Sequence, residues 1–234
     1  MQQDKPIHAF VQGIKDCVPT LLGYWSIGFA AGVVEATAGF SMLEIFLLSV
    51  FLYAGSAQFI VAAMVSGGAS AASIIGTVFF VNARHLLLSA ALAPFFRKES
   101  AARNVLIGAQ LTDETFGVAA NRLTEDMPHK GMWMLGLNIT AQVNWIAANM
   151  AGAAFGQWIP DPEQYGLDYA LPAMFIGLLV MQIMGRKQRI RDLTVMFSAV
   201  ILFMLCFALI PGSLAVILAA TGAAAIGMVT ERWK

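Results

Sequence analysis

Charge is scarce in this chain. Only 12% of its 234 residues are Asp, Glu, Lys or Arg, about half the share in an ordinary soluble domain. Hydrophobic residues make up 59% and the mean hydropathy is +0.72. Too little polar surface is left to clothe a core of this size, which excludes a single water-soluble domain. The 14 Lys and Arg cancel the 14 Asp and Glu, so no basic excess recruits nucleic acid and no acidic tail is present. Cysteine is scarce as well: Cys17 and Cys206 have no spaced partners and read as small apolar residues, not a disulfide framework. His8, His85 and His129 are scattered without metal-ligand spacing, so no metal and no cofactor are expected. Also missing are a Walker-A loop, a G-x-G-x-x-G turn, an H-E-x-x-H helix and any nucleophile–base pair. These absences argue against ATP-driven transport by this chain alone and against an enzyme with catalytic residues. Rings of repeated polar residues, which a channel would show, are lacking too.

What the chain does have is apolar runs. A helix needs about 20 mostly apolar residues to cross a bilayer, and eight segments qualify: 17–38, 43–65, 69–93, 103–121, 132–157, 169–185, 192–210 and 212–230. The first run, Val18–Phe40, is longer than the apolar region of a signal peptide and reads as an uncleaved span. Connections are short, so 1–234 is expected to form one transmembrane transporter domain. The predicted fold class is an all-α integral membrane protein, a polytopic bundle of about eight hydrophobic segments. Arg186, Lys187, Arg189 and Arg191 place the 186–191 loop in the cytoplasm, whereas Asp161, Glu163 and Asp168 leave the 158–168 loop outside. Lys5, Lys15, Arg232 and Lys234 put both termini inside. Arg97, Lys98 and Arg103 conflict with simple eight-span threading. The conflict disappears if 69–93 and 103–121 are broken or re-entrant. Trp133, Trp158 and Trp233 lie near segment ends, as interfacial anchors do.

Five charged or titratable residues fall inside the segments: Glu35, Arg84, His85, Asp113 and Glu114. An ionisable group at membrane depth costs about 2.5–3.5 kcal/mol or more and marks a functional site by default. Arg84 lies ten residues before Pro94, about 15 Å along a helix and too far for its head to reach the interface comfortably. Capping carbonyls between helices is the structural alternative. His85 reads equally as a neutral residue bonded to a carbonyl or as a proton carrier. Asp113 and Glu114 could answer Arg84, hold an ammonium group or carry a proton; the alternative is a surface-lying helix with both in water. On one continuous helix Gln110, Glu114, Gly117 and Asn121 would share a face. Glu35 falls on a stripe with Gly28, Gly32 and Gly39, where packing is the simpler reading and the carboxylate lies near the outer interface. Asn138, Gln142, Trp145, Asn149, Gly152 and Gly156 also form a stripe, either interhelical glue or the lining of a polar pathway. Gly55-Ser56 is where a membrane helix could break and offer free N–H groups to a carboxylate, with tight small-residue packing as the alternative. Single charges at depth, a Gly-Ser break and an amide stripe suggest a secondary transporter of a small, partly polar solute.

In order and spacing, Tyr53-Ala54-Gly55-Ser56-Ala57-Gln58-Phe59, Asn82-Ala83-Arg84-His85 and Leu111-Thr112-Asp113-Glu114-Thr115-Phe116 resemble the AzlC-type branched-chain amino acid permeases. Leu171-Pro172-Ala173-Met174-Phe175 and Arg186-Lys187-Gln188 are similar to that family as well, and the likeness runs from about Gly13 to Gly227. Leu87 and Leu88 depart from it, since family members often carry a tyrosine there. The resemblance implies an exporter of valine, leucine or isoleucine, with methionine or another amphipathic solute as alternatives, in the bacterial inner membrane. It also implies a small AzlD-type membrane subunit as partner and leaves a higher oligomer open. Gln58 and Asn82 join the candidate residues through these motifs. The expected chemistry sets the substrate carboxylate on Arg84 or the Gly55-Ser56 break and its ammonium on Asp113 or Glu114. Proton coupling would run through His85 or the acidic pair. A non-transporting assembly subunit is the rival from another class.

Overall fold

The structure is a computed structural model and describes residues 5–123, 127–156, 158, 164, 166, 169–185, 189–209 and 212–232. Among the described residues every regular element is helical. The chain divides into two compact units, one ending at Leu171 and one starting at Pro172.

The first unit is built on two long helices, α1 (Pro6–Thr37) and α8 (Lys130–Gly156). They run parallel, since Gly136 meets Phe10 near one end and Gly152 meets Phe29 nearer the other. Small residues set how closely they approach. A Cβ on Gly32 would lie 2.0 Å from the Asn149 carbonyl oxygen, and one on Gly152 would lie 2.0 Å from that of Phe29. No side chain fits there, which is how small-residue stripes bring membrane helices together. Gly39, assigned to the same stripe from sequence, lies beyond the end of α1 in a left-handed turn (φ +90).

The segment predicted over 43–65 is interrupted. Ser41 starts α2 (Met42–Leu47) with a reciprocal capping box to Glu44. A π-helical turn, Leu48–Leu52, follows, then Tyr53 in the left-handed region (φ 39, ψ 48) and an extended Ala54. The helix restarts as α3 (Gly55–Ser66). The segment predicted over 103–121 is interrupted too. There α6 (Ala101–Ala109) ends at Gln110, and α7 (Asp113–Arg122) starts on Thr112, whose hydroxyl accepts from the Thr115 N–H. This break removes the continuous face expected for Gln110, Glu114, Gly117 and Asn121: Gln110 belongs to the helix before it. The segment at 69–93 departs from the broken form. It continues from α4 (Ala71–Asn82) through a single turn residue, Ala83, into α5 (Arg84–Leu92) and a 3-10 turn at Ala93–Phe96. The ladder is not severed, because Ala83 N–H bonds the Phe79 carbonyl and Leu86 N–H bonds the Ala83 carbonyl.

Among the described residues, Pro6–Thr37, Ala71–Phe96 and Arg189–Phe207 are long and apolar enough to cross a membrane. Met42–Leu52, Gly55–Ser66 and Leu218–Thr230 are shorter apolar helices. Ile75, Phe79, Phe80, Leu86 and Leu87 project outward from α4 and α5, an apolar surface that a soluble monomer would not leave bare. Trp158 is exposed, but Trp133 is no interfacial anchor: it is fully buried, and its indole N–H donates to Asp16 Oδ2 at 2.9 Å. The same carboxylate receives Arg122 Nε at 3.3 Å and so ties α1, α7 and α8 together. The second unit carries most of α9 (Ala170–Gly185), with α10 (Arg189–Phe207) and α11 (Gly212–Arg232). There α10 packs on α11, with Gly222 under Leu202 and Gly227 under Val195. Asp161, Glu163, Asp168, Arg186, Lys187, Gln188, Trp233 and Lys234, which carried orientation and resemblance, lie outside the described residues.

Candidate functional site

Each interruption has a structural cause, and each leaves something chemical behind. A π turn followed by a left-handed tyrosine abandons carbonyls that a regular helix would satisfy. One of them, Val50 O, accepts from Gln142 Nε2 of α8 at 3.1 Å. The Gln142 oxygen takes Gln110 Nε2 at 2.6 Å. One amide therefore braces both breaks. Asn138, one turn earlier in α8, donates to the Ile107 carbonyl at 3.1 Å, at the end of α6. Asn149 Nδ2 donates to the Trp145 carbonyl, and Asn149 Oδ1 accepts from Gln58 Nε2 at 3.4 Å. All three amides of the α8 stripe are bonded to protein groups.

The two helix starts meet at Arg84. Its Nη1 lies 2.9 Å from Asp113 Oδ2 in the first turn of α7, and its Nη2 donates to Ser56 Oγ at 2.8 Å in the first turn of α3. The guanidinium fork suits this task, since two of its donors serve two acceptors on different helices. The pair is partly open, with side-chain exposures of 27% for Arg84 and 17% for Asp113. Ala54, the residue before α3, has no side-chain oxygen, so that helix start carries no side-chain cap, and Gly55 and Ser56 lie in its first turn. By contrast, Thr112 and Thr115 cap α7 reciprocally. The Tyr24 hydroxyl reaches in from α1, 2.5 Å from Thr112 Oγ1, and donates to Glu114 Oε2 at 3.2 Å.

The structure brings Arg84, Asp113, Ser56 and Gly55 to one place, with Glu114 next to them. His85 is half-buried, and its side chain forms no hydrogen bond among the described residues. Asn82 sits at the end of α4 with its Oδ1 buried and unbonded. Gln58 faces a second polar cluster. Its Nε2 donates to Glu35 Oε1 at 2.9 Å and lies 3.4 Å from Ser49 Oγ, and its Oε1 accepts from Trp145 Nε1 at 2.7 Å. Glu35, read from sequence on a packing stripe, is fully buried two residues before the end of α1. Residues that sequence reasoning did not single out include Tyr24, in an apolar run that also holds Thr20 and Ser26, and Asp16. No pattern marks either, because their partners are about 90 to 120 residues away. Among the described residues no group of His, Cys, Asp and Glu is placed to hold a metal ion.

A helical membrane protein whose two interrupted segments are joined through one arginine, by an ion pair to Asp113 and a hydrogen bond to Ser56, is the class this arrangement defines. The AzlC protein family matches residues 19–159, which hold α8 and both breaks, and the chain belongs to that family. It is 30% identical over 177 residues to the inner membrane protein YgaZ of Escherichia coli K12, covering 73% of this chain and 72% of that protein. It is 26% identical over 186 residues to the branched-chain amino acid transport protein AzlC of Bacillus subtilis 168, covering 80% and 72%. A membrane protein of Archaeoglobus fulgidus is 29% identical over 182 residues, covering 77% and 78%. No solved structure matches the chain.

Proposed function

We propose that this protein is the large subunit of a secondary exporter of branched-chain amino acids in the bacterial inner membrane, crossing it through eight helical segments with both termini cytoplasmic. The observation that carries the reading is the partly exposed Arg84–Asp113 pair laid across the starts of α3 and α7. A zwitterion has the charges needed to take that pair apart. Its carboxylate accepts from Arg84 and from the uncapped N–H groups of α3, where the helix dipole favours an anion. Its ammonium replaces Arg84 at Asp113, with Glu114 beside it. Neither ion is stranded in low dielectric at any stage, because each gains a partner as it loses one. Leu88 lies one turn beyond Arg84 and Phe116 one turn beyond Asp113, both packed against the core, and they offer apolar surface to a branched side chain. Valine, leucine and isoleucine fit this chemistry, and the Bacillus subtilis relative is named for that substrate class. A small AzlD-type subunit completes the exporter in this reading.

The test is amino acid release from dipeptide-loaded cells with and without this gene and its partner. Cells carrying both release valine, leucine and isoleucine faster. Arg84→Ala and Asp113→Asn remove that release while the protein stays in the membrane. A structural subunit is the second reading, favoured by the completeness of the ion pair within the chain itself. It predicts full release from well-expressed Arg84→Ala cells.

A further inference from the structure

A second buried carboxyl lies apart from the substrate pair. Glu35 is fully buried near the end of α1, and its Oε2 has no hydrogen-bond partner. Its Oε1 accepts from Gln58 of α3, and Gln58 in turn bonds Ser49 of the π turn and Trp145 and Asn149 of α8. The chemistry of these groups fixes the orientation of Gln58. An indole N–H only donates, so the Gln58 oxygen must face Trp145 and its NH2 must face the other three. That NH2 lies 2.9 Å from Glu35 Oε1 and 3.4 Å from both Ser49 Oγ and Asn149 Oδ1. A donor thus sits among the oxygens that a sodium or potassium ion would need, so the cluster is not built as a metal-cation cage. Ser49 is directed elsewhere as well, donating to the Ile45 carbonyl at 2.8 Å.

No cation is at hand to balance Glu35. Neither α3 nor the π turn contains a titratable residue, and α8 contains only Lys130, at its first position. Glu44 of α2 is engaged with Ser41. From α7, Asp113 pairs with Arg84, Glu114 with Tyr24, and Arg122 with Asp16. Tyr24, on Glu35's own helix, is held by Thr112 and Glu114. Among the described residues no ion pair reaches Glu35.

We infer that Glu35 is a proton-binding site, taking up one proton on Oε2 from water and returning it to water as the helices around it rearrange. One O–H bond forms and later breaks, and no electrons move. Thr37 ends α1 two residues later, so the carboxyl lies within one turn of the helix end, and that end is the route proposed for its proton. The site also communicates with the substrate pair. The Trp145 ring packs edge-on against Tyr24 with centroids 5.8 Å apart, and Tyr24 touches the α7 start. Gln58 lies two residues from Ser56, which Arg84 holds. Glu35 is therefore the coupling carboxyl of transport, a role that rests on the proposed function, whereas proton binding itself does not.

The experiment has two readouts on the full-length protein in lipid vesicles. The first is pH-difference infrared spectroscopy of the carboxylic C=O band, from mildly acid to mildly alkaline buffer. A titrating band absent from Glu35→Gln and shifted in Glu35→Asp supports the site. Spectra of wild type and Glu35→Gln that superimpose overturn it. Trp145→Phe, which releases the Gln58 oxygen, is a second variant and shifts the same band without removing the carboxyl. The second readout is valine flux with its partner subunit. Glu35→Gln keeps valine–valine exchange between preloaded vesicles but loses acceleration by a pH gradient, whereas an unchanged response to the gradient overturns the coupling role. If wild type binds no branched-chain amino acid yet shows the band, the transport reading fails and the proton site stands.

Discussion

The start of α3 follows a π turn, a left-handed Tyr53 and an Ala54 that has nothing with which to cap. The start of α7 follows Thr112, which caps, and begins with two acids. Both are helix N-termini created inside predicted membrane segments, and both have a positive dipole end. The second satisfies its positive end from within, with a hydroxyl and nearby carboxylates. The first does not, and receives a cation's neighbour instead, since Arg84 donates to Ser56. In the proposed function that difference gives the two starts opposite preferences, the α3 start for an incoming carboxylate and the α7 start for an incoming ammonium.

The harshest way to break this comparison is to remove the group common to both starts. Arg84→Ala should weaken valine binding by about 10- to 100-fold, the worth of one charge-assisted contact at about 1.5–3 kcal/mol, and abolish efflux at matched membrane levels. Arg84→Lys should restore little, because a compact ammonium cannot reproduce a planar fork serving Ser56 and Asp113 together. Calorimetry on the full chain measures the first effect and cell efflux the second. Next comes Gln142→Leu, which strips Val50 O and Gln110 of their partner. Two half-buried polar groups left unsatisfied should cost about 1–3 kcal/mol, read as a lowered melting temperature in detergent, with both breaks loosened in hydrogen exchange.

Much of this arrangement is visible in the sequence, and the remainder is hidden for physical reasons. Arg84, Asp113 and Glu114 stand out because a charge in an apolar run is costly and must be answered. The interruption of 43–65 is foreshadowed by Gly55-Ser56, yet the left-handed residue is Tyr53, not a glycine. Long-range contacts outweigh local preference there: Gln142 holds the Val50 carbonyl from 92 residues away. Long-range partners also hide Trp133, which reads as an anchor from its position but is drawn inward by Asp16. Glu35 shows as an odd charge, while its burial depends on α1 and α8 meeting through Gly32 and Gly152. A hydropathy window reports none of those contacts. The three α8 amides are legible as polar, but which carbonyls they reach depends on where two other helices end.

The smallest and sharpest changes exchange the character of the two starts. Ala54→Ser supplies α3 with the cap it lacks and should stabilise the protein by about 1 kcal/mol. It should weaken valine binding a few-fold, since the new hydroxyl competes for the N–H groups offered to the carboxylate. Thr112→Val removes the α7 cap and should cost about 1 kcal/mol, with a smaller effect on valine affinity than Ala54→Ser. Thermal melts paired with binding isotherms check both. Equal effects of the two variants on affinity would erase the distinction between the starts.

In the proposed function the substrate opens the Arg84–Asp113 pair by taking a place between its members. Solid-state NMR on the full-length protein in lipid, with labelled guanidinium nitrogen and labelled Asp carboxylate, follows that separation directly. Without substrate, strong dipolar dephasing between the two should match direct contact, as in the 2.9 Å pair seen here. Saturating L-valine should abolish it and introduce dephasing between Arg84 and the valine carboxylate. Valine bound with the Arg84–Asp113 coupling unchanged would contradict the account.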